Sequence, residues 1–584
     1  MSLTTHFASL LPNRDDVTEV RQHWKGDILA GITTGIVALP LALAFGVASG
    51  IGATAGLITA IVAGIAAAIF GGSRFQVSGP TGAMVVILAP LVAQHGLAVI
   101  PLLSILAGLI LVAGALAGVG RAVSLIPWPV IEGFTAGIGL ILILQQIPNA
   151  LGVEAEVGAN TLAAGIDAIV QADYPSALIP LGVALGTALL IVVFDKISPQ
   201  FPGTLAAIVI ATLGVMAAKF QIANIGEIPD SLPAPTLPAF STDLLMALVP
   251  GAISIALLAG IESLLSARVA AGMVRGGTYH PDRELFGQGI ANAASGMFGG
   301  MPATGAIVRT AVNIRAGGRS RLSPIVHALL LMLIVYAASD VVSVIPMAAL
   351  AGVLFVTAGR MIPWEAMSQI LRSTRADALI FILAAIVTVV FDLIWAILLG
   401  VVIAVIVMMR HFARLSGIHR EGPVEDPRIR ILRIDGAMFF GVADRISHEI
   451  TRLDAVRVVI LRLSRVGIMD ATGAKVLSEI VTALRQADNH VLLVGLREQH
   501  EALTNVLGLP QAMDAPDRFF DSMDEALVAA EQIVAEDERE LEEELRRQAL
   551  AEASGAPDAT VSTSASGKFG SQLAARVNRM RGRG

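Results

Sequence analysis

The sequence has 584 residues, 55% of them hydrophobic and 15% charged, with a mean hydropathy of +0.74 and a formal net charge of −7. That is too apolar for an ordinary soluble protein, and an acidic balance without a concentrated basic surface excludes a nucleic-acid partner. The absence of cysteine excludes disulfides, thiolate metal sites and cysteine nucleophiles.

Residues 1–25 are polar and mixed in charge, with Arg14, Arg21 and Lys25. They lack the basic-then-apolar layout of a cleaved signal peptide, so the first span is expected to be retained. From about Ile28 to about Phe412 the chain repeats apolar stretches near or above the ~20 residues that a membrane-spanning helix needs. Cutting this region, 26–415, at its Gly, Pro and charged interruptions predicts about fourteen segments, several of them short. In the first, Pro40 of "VALPLALAF" either breaks the helix, freeing carbonyls to line a cavity, or simply kinks it.

Basic residues fall in alternate connections: the N-terminal segment, Arg74, Arg121, Lys196, Arg268 to Arg283, Arg315 to Arg321 and Arg360 to Arg375. Intervening connections such as "PNALGVEAEVGANTLAAGIDAIVQADYPS" and "SDVVSVIP" carry none. Because Lys and Arg collect in cytoplasmic loops, both ends of the membrane region are expected in the cytoplasm, which requires an even number of spans.

One short phrase occurs twice: "SGPTGAM" at Ser78 to Met84 and "MPATGAI" at Met301 to Ile307 share Thr-Gly-Ala. Each follows a glycine pair, Gly71-Gly72 or Gly299-Gly300, contains a proline, and opens a segment too short or too interrupted for a comfortable span. Paired interrupted segments in corresponding halves mark an inverted-repeat transporter, in which half-helices meet near mid-membrane and hold the substrate between their starts. The loop charges place the approaches to these two segments on opposite sides of the membrane, so the helices run in opposite directions with their N-termini facing. Unpaired N–H groups and about half a positive charge at each start would make an anion site without a lysine. Gly82 and Gly305 would let a ligand approach the backbone, and the Thr81 and Thr304 hydroxyls could add donors. The same small residues would also serve close helix packing.

Two charges lie inside membrane segments. Glu262, in "GAISIALLAGIESLLSARVAAG", either binds a proton or Na⁺ and couples a gradient to anion entry, or pairs with Arg268 at the cytoplasmic edge. Ser266, four residues on, shares its helix face. Arg309, in the second turn after Thr304, either adds fixed positive potential at the same place or snorkels to the interface.

From about Pro427 short β-rich runs ("RILRI", "RVVILRL", "HVLLVGL") alternate with helical patterns, predicting a small α/β domain over 427–532. Residues 533–584 are expected to form a charged helix, "EDERELEEELRRQ", and a disordered Ser/Gly/Ala-rich tail with a basic end.

With "GGSRFQVSGPTGAMVVILAP", "GIESLLSARVAAGM", "RELFGQGIANAASGMFGGMPATGAIVRTAVNIRAGGRS" and "MDATGAKVL" the chain resembles the SulP/SLC26 family of anion transporters. The resemblance implies a polytopic α-helical membrane protein of two inverted seven-segment repeats, a core domain moving against a gate domain, a homodimer, and a cytoplasmic α/β STAS domain. It places the anion between the starts of the third and tenth segments, here Phe75 to Met84 and Pro302 to Arg309. The substrate-binding candidates are therefore Phe75, Ser78, Thr81, Gly82, Ala83, Thr304, Gly305, Ala306 and Arg309. It assigns cation coupling to Glu262 and Ser266. Where many members carry a polar residue after the first-segment proline, Leu41, Ala42 and Leu43 are apolar, which implies fewer side-chain bonds to the substrate. In "DATG", Thr472 stands at the position that is phosphorylated in anti-sigma factor antagonists; the alternative is that Asp470 or Thr472 merely caps the helix.

The expected function is secondary active transport of a small anion (sulfate, bicarbonate or a dicarboxylate) by H⁺- or Na⁺-coupled symport in a bacterial inner membrane. No phosphate-binding Gly-x-x-x-x-Gly-Lys loop, nucleophile motif or metal-ligating His cluster is present, so the chain is expected to be neither an ATP-driven pump nor an enzyme, and to need no cofactor beyond a coupling cation. A nucleobase permease of the same fold and a membrane-tethered regulator binding a cytoplasmic protein through its STAS domain are the alternatives.

Overall fold

The computed structural model describes residues 3–121, 127–153, 161–198, 202–228, 231–238, 240–390, 399, 402–403, 405–407, 409, 416–421, 426–438, 456–513 and 518–553. The apolar run "LIWAILLGVVIAVIVMM" lies largely outside these residues, and the tail after Ala553 wholly outside. The chain divides into two compact units, Met1–Ala404 and Val405–Gly584.

The first unit is helical. Its elements in order are α1 (Leu3–Leu10), α2 (Arg14–Ala48), α3 (Ala53–Phe70), β1 (Ser78–Gly79), α4 (Gly82–His95), α5 (Ile100–Leu116), α6 (Trp128–Leu151), α7 (Thr161–Gln171), α8 (Tyr174–Ile197) and α9 (Gly203–Ala217). Then come α10 (Thr242–Met273), α11 (Pro281–Met297), β2 (Thr304–Gly305), α12 (Ile307–Arg315), α13 (Leu322–Ser343), α14 (Met347–Met361), α15 (Trp364–Arg372) and α16 (Arg375–Val390). Among the described residues eight helices are long and apolar enough to cross a membrane. α4, with 14 residues, and α12, with 9, are too short to do so.

Mutual packing sorts these helices into two groups. α11 packs closely on α5 and α3, α13 on α2, and α10 on α5 and α12. The closeness comes from glycine: a methyl added at Gly289 would lie 2.7 Å from the Gly108 carbonyl oxygen, and one at Gly287 would collide with the Gly71 backbone. The second group joins α6 to α7, α14 and α16, and α8 to α9 and α14. Two sequence expectations are refined. α2 runs unbroken through Pro40, so the proline does not open the first helix. The connection "PNALGVEAEVGANTLAAGIDAIVQADYPS" contains α7, an amphipathic helix that packs on α6.

The N-terminus of α2 is tied to the starts of two distant helices. Asn13 caps it with a reciprocal pair of hydrogen bonds to Asp16. Asp16 in turn accepts from Arg283 at 2.7 Å and from Arg321 at 2.8 Å. Burial alone would raise the Asp16 carboxyl, but the hydrogen bonds from Arg283, Asn13 and Arg321 outweigh it and hold it below the usual range. Its stabilisation is therefore present at neutral pH and is lost only as pH falls through that lowered value.

In the second unit β4 (Ile429–Met438), β5 (Val458–Arg462), β7 (His490–Val494) and β8 (Phe519–Phe520) form parallel neighbours in that order. β3 (Gly417–Arg420) runs antiparallel on the outer edge of β4, and β6 (Val466–Met469) also pairs with β4. The period of two is visible in β5. Val459 and Leu461 face the helix Ala471–Gln486, whereas Val458 and Ile460 face Ala526, Ala530 and Val534 of the helix Met523–Ala553. That last helix runs without interruption through the boundary drawn at 532/533. Arg428, hydrogen-bonded to Asp426, holds that carboxyl below the usual carboxylate range.

Candidate functional site

The two Thr-Gly-Ala phrases meet. β1 and β2 pair antiparallel, Ser78 opposite Gly305 and Gly79 opposite Thr304, and the Ala306 amide donates to the Val77 carbonyl at 2.9 Å. Because the pair is antiparallel, α4 and α12 leave it from opposite ends. Neither helix start has a side-chain cap: Thr81 occupies the capping position of α4 without bonding its turn, and Ala306, at that of α12, has no group to do so. First-turn N–H groups without side-chain acceptors are what an anion needs.

α10 explains why Thr81 leaves its cap open. The Thr81 hydroxyl donates to Glu262 Oε2 at 3.0 Å. One residue on, Ser263 accepts from the Gly305 amide at 2.9 Å and lies 3.0 Å from the Thr304 hydroxyl. Adjacent positions on a helix point about 100° apart, so α10, lying between the two phrases, reaches the first with Glu262 and the second with Ser263. Ser266 is a turn further on, 3.4 Å from the Thr310 hydroxyl, which itself accepts from the Val77 amide. Among the described residues Glu262 makes no ion pair with Arg268.

Arg309 is 1% exposed and turned inward, away from any interface. Its Nη2 donates to the Pro80 carbonyl at 2.5 Å, so a side chain of α12 is pinned to the loop that opens α4. Ser78, Gly82, Ala83, Gly305 and Ala306 are all buried. A methyl at Gly82 would collide with Leu142 of α6 and lie 3.3 Å from both Met361 and Phe45, so apolar side chains cover the start of α4. Phe75 lies apart from the helix starts, packed with Ala270 and Ile314. In the second unit Asp470 caps the helix Ala471–Gln486 by accepting from the Gly473 amide at 2.7 Å, while Thr472 is exposed in the first turn.

Sequence reasoning missed what holds the crossing still. α11 presents Glu284, Gln288, Asn292 and Ser295 on one face, each a turn from the next, and all four are buried. Glu284 accepts from the Gly72 and Ser73 amides at 2.8 and 2.9 Å and from Gln76 at 2.8 Å. Gln288 donates to the Ser78 hydroxyl at 2.7 Å, and Ser295 to the Met301 carbonyl at 2.7 Å. Asn292 bonds both the amide and the carbonyl of Ala303 at 2.9 Å. The signal was available: four polar residues at i, i+4, i+8 and i+11 in a small-residue helix form a stripe that must find partners inside a membrane. Asn292→Ala leaves both Ala303 groups unpaired and is expected to destabilise the protein by about 2–4 kcal/mol, seen as a lower melting temperature in detergent.

Comparison with known proteins follows the same lines. Residues 24–384, more than half of the chain, match the Sulfate permease family, and residues 423–526 match the STAS domain. The chain is 36% identical over 521 residues to "Putative sulfate transporter YvdB" of Bacillus subtilis, covering 86% of this chain and 97% of that one. It is 33% identical over 507 residues to "Bicarbonate transporter BicA" of Synechocystis, covering 81% and 89%. The structure of murine Slc26a9 superposes with a TM-score of 0.81 at 17% identity, over 90% of this chain and 95% of that one, a likeness of fold alone. The transmembrane domain of a cyanobacterial BicA superposes with a TM-score of 0.56 at 34% identity, over 66% and 97%. These relatives are transporters and not enzymes, and with the STAS match, the paired short helices and the fold in agreement, the chain belongs to the sulfate permease (SulP/SLC26) family of membrane transporters.

Proposed function

We propose that the protein is a secondary active carrier of a small oxyanion, sulfate or bicarbonate, with dicarboxylates as the wider class, driven by symport of H⁺ or Na⁺. The observation that carries this reading is the antiparallel meeting of two helix starts, neither capped by a side chain, beside one buried arginine and one carboxylate. The anion is held by first-turn N–H groups of α4 and α12 beside Gly82, Ala83 and Ala306, with Thr81, Thr304 and Ser78 adding hydroxyls, while the Gly305 and Ala306 amides, bonded to Ser263 and Val77, hold the strand pair and Phe75 packs apart from the site.

Charge arithmetic supplies the coupling. Arg309 and Glu262 lie within electrostatic reach of one another and sum to zero when both are charged. An arriving anion then makes the site net negative inside a low-dielectric protein, which is costly. A proton on Glu262, or Na⁺ held by Glu262 with Ser266 near, leaves Arg309 to balance the anion. Cation and anion are thus favoured together: with bicarbonate and one cation the site rests neutral both empty and fully loaded, the two states that alternating access must carry across, whereas a divalent anion such as sulfate needs a second cation to reach the same balance.

The names of the similar proteins support an oxyanion, and the STAS domain supports a cytoplasmic regulatory partner, with Thr472 as the exposed position for a phosphate at a helix start. We place the protein in the inner membrane as a homodimer with both termini cytoplasmic. The test is uptake of labelled sulfate, bicarbonate and succinate into proteoliposomes under an imposed pH or Na⁺ gradient. Accumulation of one anion under one gradient supports the reading; no flux of any of them in folded, inserted protein overturns it.

A further inference from the structure

α13 carries a histidine that the coupling scheme does not use. His327 lies within the first two turns and is fully buried. The Pro324 carbonyl, one turn back, lies within reach of one ring nitrogen as an acceptor, which leaves the other ring nitrogen without a partner. Arg309 has the complementary defect: Nη2 is bonded to Pro80, whereas Nη1 is buried and unpaired. The two side chains lie within electrostatic reach of each other.

α3 shows how they come together. A methyl at Gly79 would lie 2.8 Å from Arg309 Nη1 and 3.3 Å from the Cα of Ala60, so Nη1 sits where β1 passes α3. One turn along α3, a methyl at Gly64 would lie 3.5 Å from both the Ser78 carbonyl oxygen and the Cβ of Ala328, the residue next to His327. Glycine and alanine on that face of α3 thus bring α13 to the back of the same two-residue strand that Arg309 braces. A buried polar atom left unpaired costs about 1–3 kcal/mol, and native proteins rarely tolerate several in one neighbourhood without a bridge. A donor N–H on one side and the free ring nitrogen on the other are the partners a single buried water requires.

We propose that His327 is a positioning residue for the anion site: across one bridging water a ring nitrogen accepts from Nη1–H of Arg309 and fixes the plane of the guanidinium behind the start of α4. This rests on the anion-carrier reading. By fixing the guanidinium plane the bridge favours the anion-loaded ground state and the transition conformation equally, so losing it weakens anion binding more than it slows turnover.

The test uses the full chain in proteoliposomes, reading KM and Vmax for labelled sulfate and bicarbonate, with melting temperature in detergent. His327→Leu removes the polar atoms and keeps the volume; His327→Gln restores an acceptor. A merely structural histidine predicts that His327→Leu is silent in transport and neutral or stabilising, because it deletes an unpaired buried atom. A positioning role predicts KM raised at least ~10-fold with Vmax within ~2-fold and no loss of melting temperature, and recovery of KM to within ~3-fold in His327→Gln. Unchanged KM in His327→Leu, or equal impairment in both variants, overturns the proposal while wild-type flux keeps the carrier reading. Absence of wild-type flux overturns both. If His327→Leu does not fold, His327→Met is read in its place.

Discussion

Arg309→Gln is expected to lower anion uptake by about 100-fold in protein that still folds and inserts. The side chain is 1% exposed, is bonded to the Pro80 carbonyl, and faces Glu262 electrostatically. Removing it does three things at once. The positive potential at the crossing disappears, the Pro80 carbonyl loses its donor, and Glu262 is left without its counter-charge. Deleting one member of a buried charged pair costs about 3–5 kcal/mol, and 3 kcal/mol is already about two decades in an equilibrium constant. Arg309→Lys keeps the charge but not the fork that lets one guanidinium nitrogen hold Pro80 while the other faces α3, so it should recover only part of the uptake. The measurement is initial-rate uptake in proteoliposomes, normalised to protein shown monodisperse before reconstitution. Equal uptake in wild type and Arg309→Gln would remove this residue from the site.

Glu262→Gln should abolish gradient dependence while leaving downhill anion movement. Glutamine is isosteric, still accepts from the Thr81 hydroxyl, and carries the charge of the protonated carboxyl, so the site becomes permanently ready for an anion. For one proton per anion, a gradient of one pH unit, worth about 1.4 kcal/mol, supports about tenfold accumulation by the wild type. The variant should stop near equality of inside and outside concentrations. If Na⁺ is the coupling ion the same comparison is made with a Na⁺ gradient. Full gradient-driven accumulation by Glu262→Gln would place coupling elsewhere.

How much of this was legible in the sequence depends on which interaction decides each feature. Local rules sufficed where a single segment decides. The repeated Thr-Gly-Ala, its glycine pairs and its short apolar followers identified the two half-helices, and alternation of β-branched runs identified the C-terminal sheet, whose helix cap, left open between Asp470 and Thr472, is Asp470. Glu262 stood out because a carboxylate in an apolar run must find a partner, and it found Thr81. Choosing Ser266 as its companion followed the rule that i and i+4 share a face. Ser263 is the serine that bonds the second phrase, because α10 lies between the two halves and serves each with a different face. Pro40 was ambiguous for the opposite reason: neighbouring helices hold α2 continuous through it. The stripe of Glu284, Gln288, Asn292 and Ser295 is regular enough to notice, yet its role as clamp appears only when α11 is seen against the glycine-rich turns at 71–73 and 299–303.

The absence of cysteine from the 584 residues allows a direct look at the crossing. With Ala83→Cys or Ala306→Cys, the only thiol in the protein sits in the first turn of α4 or at the cap of α12. The rate at which a small methanethiosulfonate reagent labels each thiol, with and without saturating transported anion, tests whether the anion occupies both helix starts. The anion should slow labelling several-fold at both positions, and not at a control thiol such as Val506→Cys on the exposed surface of the second unit. Transport that continues while the anion protects neither position would contradict an anion site between the two half-helices.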